Sequence, residues 1–211
     1  EAVTAFRQTG EGMEVVLRSG LILQTDMVLL SIGVRPDARL AKAAGLEIGE
    51  TGGIKVNEYL QTSDPDIYAV GDAIEFPNPV SGRPALAFLA GPANKQGRIC
   101  ADNAVYGNRR KYKGSINTAI AKVFDLTVGA AGLSAKMLER LQIPYREAII
   151  HGASHVGYYP GAIMMDIKIN FSPTDGKLLG AQVVAADGAD KRLEMMSAVI
   201  REGGSVYDLM E

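Results

Sequence analysis

The stretch "SDPDIYAVGDA", Ser63 to Ala73, constrains the fold most, because an apolar run ends there on a glycine followed at once by a carboxylate. An ionised side chain at the end of a buried strand loses hydration unless hydrogen bonds replace the lost water. Gly71 would let another backbone or a ligand approach closely, and Asp72 could accept hydrogen bonds from a polyol. Two interpretations of Asp72 stay open: a cap on the next element, which the residue chemistry alone favours, or a ligand contact.

The composition is that of a globular protein, with 211 residues of which 47% are apolar and 22% charged. This length allows one or two domains with a real core. A net charge of −2 offers no basic field to nucleic acid or acidic lipid, and no apolar run is long enough to span a membrane. The chain has one cysteine, Cys100, which excludes an internal disulfide, and it begins without a signal segment. We therefore expect a cytoplasmic protein.

The first third of the chain is rich in β-forming residues. Short runs separated by glycine-containing turns predict a β-meander over residues 2–26. "MVLLSIG", Met27–Gly33, is continuously apolar, which is typical of a strand covered on both faces. Asp37 is a candidate cap for a short helix that Gly45 ends. "DIYAV" then predicts a second buried strand, closed by the Gly-Asp pair.

The segment "LAGPANKQGRICADNAVYG" predicts a helix that Pro92 opens and Gly107 ends. Such an N-terminus exposes free N–H groups and a positive dipole end, which favour a phosphate or a developing negative charge. An ordinary helix start is the competing interpretation. Cys100 lies inside this helix with no histidine or second cysteine beside it, so we expect a small buried hydrophobe rather than a nucleophile.

The pattern changes at Gly107–Ser115, a basic and polar stretch that predicts a domain boundary. Downstream, antiparallel strands are expected together with two helices, one capped by Ser134 and one ended by Gly203. The apolar face of the second helix comprises Leu193, Met196, Val199 and Ile200. Its Lys191 and Arg192 are expected to form a solvated face. The second half of the chain is therefore predicted to be α+β.

The loop "HGASHVGYYPGA", His151 to Ala162, combines two histidines with two adjacent tyrosines. The histidine spacing suits a metal ion only on a helix, and the surrounding glycines argue against a helix, so no metal site is predicted. Tyr158 and Tyr159 could donate hydrogen bonds to a reacting sulfur or oxygen. Packing at a subunit contact, where tyrosine is enriched, is the alternative.

Five segments in series resemble the flavin-dependent pyridine nucleotide-disulfide oxidoreductases, in particular the branch of coenzyme A-disulfide reductases, NADH oxidases and NADH-dependent persulfide reductases. The resemblance covers about Asp26 to Glu211. It is carried by "VLLSIGVRPD", "LQTSDPDIYAVGDA", "LAGPANKQGR", "HVGYYPGA" and "GADKR".

The resemblance implies an α+β C-terminal dimerisation domain preceded by the distal part of an FAD/NAD(P)-binding α/β fold. Residues 1–33 would end the NAD(P)-binding domain, residues 34–114 would be the distal part of the FAD-binding domain, and residues 115–211 would form the dimerisation domain. FAD is the implied cofactor and NAD(P)H the co-substrate. The implied FAD contacts are Gly71 and Asp72 at the ribityl chain, and Leu89, Ala90, Gly91, Pro92, Ala93 and Asn94 at the pyrimidine side of the ring.

The resemblance also implies a homodimer formed through residues 115–211, in which a tyrosine of "YYPG" reaches the partner subunit's active site. Tyr158 or Tyr159 would then donate to a sulfur of coenzyme A, a persulfide or a redox cysteine. The implied activity is reduction of a disulfide, a coenzyme A-type persulfide or dioxygen by NAD(P)H.

Two departures from the family qualify this activity. The family's G-x-G-x-x-G turns and its redox cysteine do not occur in this sequence, so the chain resembles the distal half of an enzyme. We expect the isolated chain to bind FAD weakly or not at all and to catalyse nothing. Two alternatives remain: a non-catalytic dimerisation or interaction module, in which Asp72 is only a cap, and a same-fold flavin reductase without cysteine chemistry, against which "GYYPGA" counts.

Overall fold

The computed structural model describes residues 1–210, so the expected end of the last domain at Glu211 falls outside the described residues. The chain separates into two compact units, Glu1–Val34 and a larger unit that begins at Arg35. The first is built of β-strands and the second mixes helices and strands. Within the described part, no helix is both long and apolar enough for a membrane crossing. The three-domain division drawn from the sequence stays a prediction.

The first unit contains the expected β-meander. Strands β1 (Val3–Thr9), β2 (Gly12–Leu17) and β3 (Ile22–Thr25) form an antiparallel sheet in the order β1-β2-β3. β1 and β2 are in register from Ala5 opposite Val16 to Thr9 opposite Gly12, which fixes a tight turn between them. The meander prediction is confirmed.

The predicted strand over Met27–Gly33 is wrong. This segment has no regular secondary structure, and Met27, Leu29 and Ile32 are 79%, 85% and 88% exposed. A continuous apolar run predicts a strand because such strands are normally covered on both faces. Among the described residues of this unit, no strand pairs with the segment beyond β3, so the pattern has nothing to pack against.

The second unit begins with a short helix, α1 (Arg39–Ala43), followed by Gly45 in the left-handed conformation. Asp37 does not occupy the cap position, which belongs to Ala38. Its carboxylate instead pairs with the Arg39 guanidinium at 2.8 Å, and this hydrogen bond lowers the pKa of Asp37 to about 2. The helix is as predicted, but its N-terminal contact is a local ion pair.

The predicted buried strand "DIYAV" is also wrong, because the buried strand lies on the other side of the Gly-Asp pair. Tyr68 forms an isolated bridge with Gln61, and Val70 is 37% exposed. Gly71–Ala73 form one 3₁₀ turn, and the buried strand β5 (Ile74–Pro77) follows it. β5 pairs in parallel with β4 (Ile54–Lys55) and antiparallel with β6 (Pro84–Ala85). Apolar character extends across the turn in the sequence, so the run alone does not locate the strand.

Helix α2 (Ala90–Tyr106) packs on this small sheet and ends at Gly107, which has φ +80°. The predicted helix is confirmed, with Pro92 in its first turn. Its core partners are Leu60, Ile74, Phe76, Ala87 and Tyr112. Cys100 is half-buried against this cluster, and burial raises the pKa of its thiol, as expected of a small hydrophobe.

The rest of the second unit is a five-stranded antiparallel sheet in the order β7-β8-β11-β10-β9. Its strands are β7 (Ala119–Val123), β8 (Leu126–Gly132), β9 (Arg146–Ala153), β10 (Met164–Phe171) and β11 (Leu178–Ala185). Helix α3 (Ala135–Arg140) follows β8 and is capped by the Ser134 hydroxyl, which accepts from the Met137 N–H. These strands and the Ser134 cap are as predicted.

Helix α4 (Ala189–Glu202) covers one face of this sheet and ends at the left-handed Gly203. Leu193, Met196 and Ile200 of α4 form a core with alternate residues of β11, which include Ala181, Val183 and Ala185. On the opposite face, α3 packs at the end of the sheet where Leu133 lies over Gly180, and the rest of that face, which no helix of residues 1–210 covers, is called the open face here. By strand register it presents Val123, Leu126, Val128, Ile149 and Met164, which are 39–65% exposed.

One glycine lets the chain cross over the sheet between β8 and α3. The Leu133 N–H donates to the Leu179 carbonyl at 2.9 Å, and the Leu133 carbonyl accepts from Asn170 Nδ2 at 3.1 Å. Leu133 therefore lies directly over Gly180 of β11, and a Cβ at Gly180 would collide with the Leu133 carbonyl. The crossing requires glycine at this position for space rather than for its backbone angles.

Gly180→Ala should therefore destabilise the fold by about 3 kcal/mol, because the added methyl has no room without moving the backbone. Gly152→Ala in β9 is the matched control, since nothing lies within 4 Å of a Cβ built there. Urea unfolding followed by far-ultraviolet circular dichroism measures both. Equal midpoints for the two variants would contradict the proposed crossing.

Candidate functional site

The Gly-Asp turn is fixed by a single buried side chain of α2. Gly71 has φ +82°, which favours glycine, and its N–H donates to Gln96 Oε1 at 2.6 Å. Gln96 is fully buried. The 3₁₀ turn thus lies against the first turns of α2, with the site of a Gly71 Cβ 4.0 Å from the Ala93 Cβ. Two motifs that are separate in the sequence form one site.

Asp72 is exposed and makes no hydrogen bond to any of residues 1–210. A capping role would require its carboxylate to accept from a backbone N–H of the following turn. The 3₁₀ turn has no such side-chain cap, so the interpretation that the residue chemistry alone favoured is wrong. Asp72 is left as a free hydrogen-bond acceptor beside the N-terminus of α2.

The N-terminus of α2 supplies donors next to that acceptor. Leu89 is extended at the cap position, and the Ala93 N–H already donates to the Leu89 carbonyl at 3.2 Å. The N–H groups of Ala90 and Gly91 have no acceptor within the described chain, and Pro92 has no N–H to satisfy. A Cβ built on Gly91 meets nothing within 4 Å, so this side of the turn is open. Asn94 is exposed one residue beyond Ala93.

Sequence reasoning missed Gln96 as a functional residue. The apolar residues of α2 formed no strict stripe, and the structure explains why: two of the buried positions are polar, Gln96 and Asn103. Asn103 holds the chain after the helix by accepting from the backbone N–H groups of Arg109 and Arg110. Buried amides at helical spacing from Ile99 were the signal that could have revealed both residues.

Gln96 and Tyr112 bury polar atoms that have no partner in the described structure. These atoms are Gln96 Nε2 and the Tyr112 hydroxyl. Burial raises the pKa of the Tyr112 hydroxyl, and the neighbouring Gln96 amide partly offsets that effect. Tyr112 also lines a cleft of about 670 Å³ that extends from Gly91 and Pro92 to Glu194 and Arg201 of α4.

The tyrosine loop, residues 154–163, connects β9 to β10. Tyr158 is 89% exposed, whereas Tyr159 is 64% exposed and packs edge-on against the His155 ring, with centroids 5.6 Å apart. The two tyrosines are therefore not equivalent: one is committed to its own loop and the other is free. Among the described residues, no hydrogen bond joins this loop to the Gly71–α2 site.

The prediction of a solvated face on α4 is confirmed for Lys191 and wrong for Arg192. Arg192 is half-buried and its Nη2 donates to the Ser154 carbonyl at 2.8 Å. Long side chains on a helix surface normally stay in water, but here the tyrosine loop supplies an acceptor within reach.

The two histidines have separate partners. His151 Nδ1 lies 2.5 Å from Asp166 Oδ1 across β9 and β10, and His155 Nδ1 lies 3.1 Å from the Ser154 hydroxyl. Among residues 1–210, no group of three or more histidine, cysteine or carboxylate side chains could hold a metal ion.

Comparison with known proteins identifies relatives of this chain. The family model for pyridine nucleotide-disulphide oxidoreductases matches residues 1–94, which include the β-meander, the Gly-Asp turn and the start of α2. An NADH oxidase of Methanocaldococcus jannaschii is 36% identical over 199 residues, which are 94% of this chain and 44% of that protein. A coenzyme A disulfide reductase of Staphylococcus epidermidis is 30% identical over 200 residues, 95% of this chain and 45% of that protein. The chain thus spans about half the length of these relatives.

Two solved structures extend the match to the fold. The reduced CoADR-RHD of Bacillus anthracis is 48% identical with a TM-score of 0.88, over 93% of this chain and 35% of that one. An NAD-dependent persulfide reductase from A. fulgidus is 35% identical with a TM-score of 0.92, over 99% of this chain and 38% of that one. Over nearly all of its length, the chain resembles the distal part of pyridine nucleotide-disulphide oxidoreductases, with NADH oxidase, coenzyme A disulfide reductase and persulfide reductase relatives.

Proposed function

We propose that this chain is the distal part of an FAD-dependent NAD(P)H oxidoreductase that reduces a disulfide, a coenzyme A-type persulfide or dioxygen. One observation carries the proposal: Asp72 is a free carboxylate beside the open N-terminus of α2. The names of the relatives, which include an NADH oxidase and a coenzyme A disulfide reductase, support the reaction class.

The residues present fit one edge of a flavin nucleotide. Asp72 offers acceptor oxygens to hydroxyl groups, and the unpaired N–H groups of Ala90 and Gly91 offer donors to a carbonyl or ring nitrogen. The positive end of α2 would stabilise negative charge on the ring. FAD, when bound, would supply the hydride-accepting group. Gln96 would hold the Gly71 backbone so that Asp72 stays in place.

The same contacts are too few to grip a whole dinucleotide. The site comprises one carboxylate and one helix end, whereas dinucleotide folds hold the pyrophosphate at a glycine-rich turn. We therefore expect the isolated chain to carry no flavin and to be inactive. Flavin absorbance co-purifying with the isolated chain would contradict this part of the proposal.

The tyrosine loop would supply the proton donor or hydrogen-bond donor on the substrate side. Tyr158 is the better candidate of the two tyrosines, because its ring is free while Tyr159 packs on His155. The small-molecule substrate would be a thiol, disulfide or persulfide. In this proposal the reacting cysteine comes from a part of the polypeptide other than these 211 residues, since Cys100 is half-buried with a raised pKa.

The open face would form a homodimer contact within residues 115–211. It presents Val123, Leu126 and Val128 on neighbouring strands, each at least 39% exposed, with no helix covering them. Exposed apolar patches of this kind mark protein contacts. We keep the expectation of a cytoplasmic protein as part of this proposal.

A non-catalytic interaction module is the competing function, and the open face favours it equally. In an interaction module, Asp72 would serve only as a cap, and its carboxylate without a hydrogen bond argues against that role. A flavin reductase of the same fold without cysteine chemistry would share the flavin site, and the tyrosine loop is the feature that argues against it.

Asp72→Ala in the longest natural chain that carries this segment should weaken FAD binding about 10- to 100-fold, because a hydrogen bond to a charged group contributes about 1.5–3 kcal/mol. Asp66→Ala is the control, since Asp66 is also an exposed carboxylate and lies in the preceding turn. Flavin released per mole of folded protein is the measurement. Unchanged flavin content in Asp72→Ala would favour the interaction module.

Tyr158→Phe should lower kcat for the sulfur or oxygen acceptor about 100-fold, because the variant removes only a donor hydroxyl. Tyr159→Phe should change kcat little, since the ring contact with His155 is kept. Steady-state assays that follow NAD(P)H oxidation compare the two variants. Equal effects of both substitutions would contradict the different roles given to the two tyrosines.

Val128→Lys should convert a dimer to a monomer, because it places a charge on the open face. Met195→Lys is the control, since Met195 is 51% exposed on α4, away from that face. Sedimentation equilibrium gives the mass of each variant. A dimer that survives Val128→Lys would place the subunit contact elsewhere.

A further inference from the structure

The tyrosine loop is ordered by very few contacts. His155, Val156, Gly157, Tyr158, Tyr159, Pro160 and Gly161 are all exposed. A Cβ built on Gly157 or Gly161 meets nothing within 4 Å, so no other segment of the described chain packs against these positions. Loops with so little buried surface normally lose order readily. Within the described chain, the contacts that fix Tyr158 therefore lie at the base of the loop.

That base is formed by one residue whose polar groups are all engaged. The Ser154 N–H donates to the Ile163 carbonyl at 2.8 Å, and the Ser154 hydroxyl accepts from the Ile163 N–H at 3.2 Å. The same hydroxyl lies 3.1 Å from His155 Nδ1, which brings in the ring that packs on Tyr159. The remaining group, the Ser154 carbonyl, accepts from Arg192.

Arg192 connects this base to a rigid element. It lies in the first turns of α4, between Ala189 and Leu193, which are 0% and 2% exposed in the sheet core. Among the described residues, the Arg192 guanidinium is the one group of α4 that hydrogen-bonds to the loop. Because the donor is charged, this hydrogen bond is stronger than one between neutral groups. α4 begins at Ala189, shortly after β11 ends at Ala185, and this end of β11 lies at the same end of the sheet as the loop.

We propose that Arg192 is a positioning residue that holds the tyrosine loop through the Ser154 carbonyl and so presents Tyr158 to its substrate. The inference rests on the proposed function of Tyr158. Arg192 itself touches no reacting atom in this role. Loss of the guanidinium would release the loop from α4 and remove the support of the Ser154–Ile163 pairing, so that pairing would open more often and Tyr158 would sample more positions.

Hydrogen–deuterium exchange on the chain tests the contact without requiring activity. Arg192→Ala should speed exchange in peptides covering residues 154–163 at least fivefold, while peptides from β10 and β11 stay unchanged. Arg192→Lys should restore part of the protection, because an ammonium can still donate to the carbonyl. Lys191→Ala, the exposed neighbour on the same helix, should behave as the parent chain. Unchanged loop exchange in Arg192→Ala would overturn the proposal.

Kinetics of the whole enzyme test the consequence. Arg192→Ala should lower kcat for the acceptor about tenfold without changing the KM for NAD(P)H, and Arg192→Lys should recover most of the loss. A normal kcat in Arg192→Ala, where Tyr158→Phe is impaired, would overturn the positioning role. A normal kcat in Tyr158→Phe would instead overturn the proposed function of the tyrosine. The hydrogen–deuterium exchange experiment would still test the contact between Arg192 and the Ser154 carbonyl.

Discussion

The hydrogen bond from the Gly71 N–H to Gln96 Oε1 is the contact on which the candidate site depends. It joins a turn and a helix that lie 25 residues apart in the chain, and its acceptor side chain is enclosed because Gln96 is 0% exposed. A buried amide loses hydration that hydrogen bonds must replace, and the Gly71 N–H supplies this for Oε1, while Nε2 has no partner among the described residues. Without it, Asp72 and the open end of α2 would have no fixed relation.

Local chemistry in the sequence was enough to predict the elements that have clear ends. The meander, the helix between Pro92 and Gly107, the Ser134 cap and the apolar face of α4 all followed from turn residues, capping residues or periodicity. Turn residues, caps and periodicity depend on residues close together in the sequence, and the tertiary contacts of this chain favour the same elements. The pairing of motifs at Gly71 and α2 followed from family resemblance, not from periodicity.

Tertiary contact decides the features that the sequence could not predict. Met27–Gly33 and "DIYAV" have the composition of buried strands, but pairing partners determine whether such a run is a strand. The Gln96 amide interrupts the apolar pattern of α2. Its structural role depends on the Gly71 N–H, which lies 25 residues away in the chain, so the local sequence does not reveal that role. Arg192 likewise had no local signal, because its acceptor at Ser154 is 38 residues away.

The bare segment at Met27–Gly33 has a practical consequence for handling the molecule. It combines Met27, Leu29, Leu30 and Ile32 without a charge or a proline, and each of these side chains is at least 62% exposed. Stretches of this kind add readily to the edges of foreign strands. A purified sample of these 211 residues should therefore turn cloudy or form open-ended assemblies as it is concentrated, and a mild detergent should dissolve these assemblies.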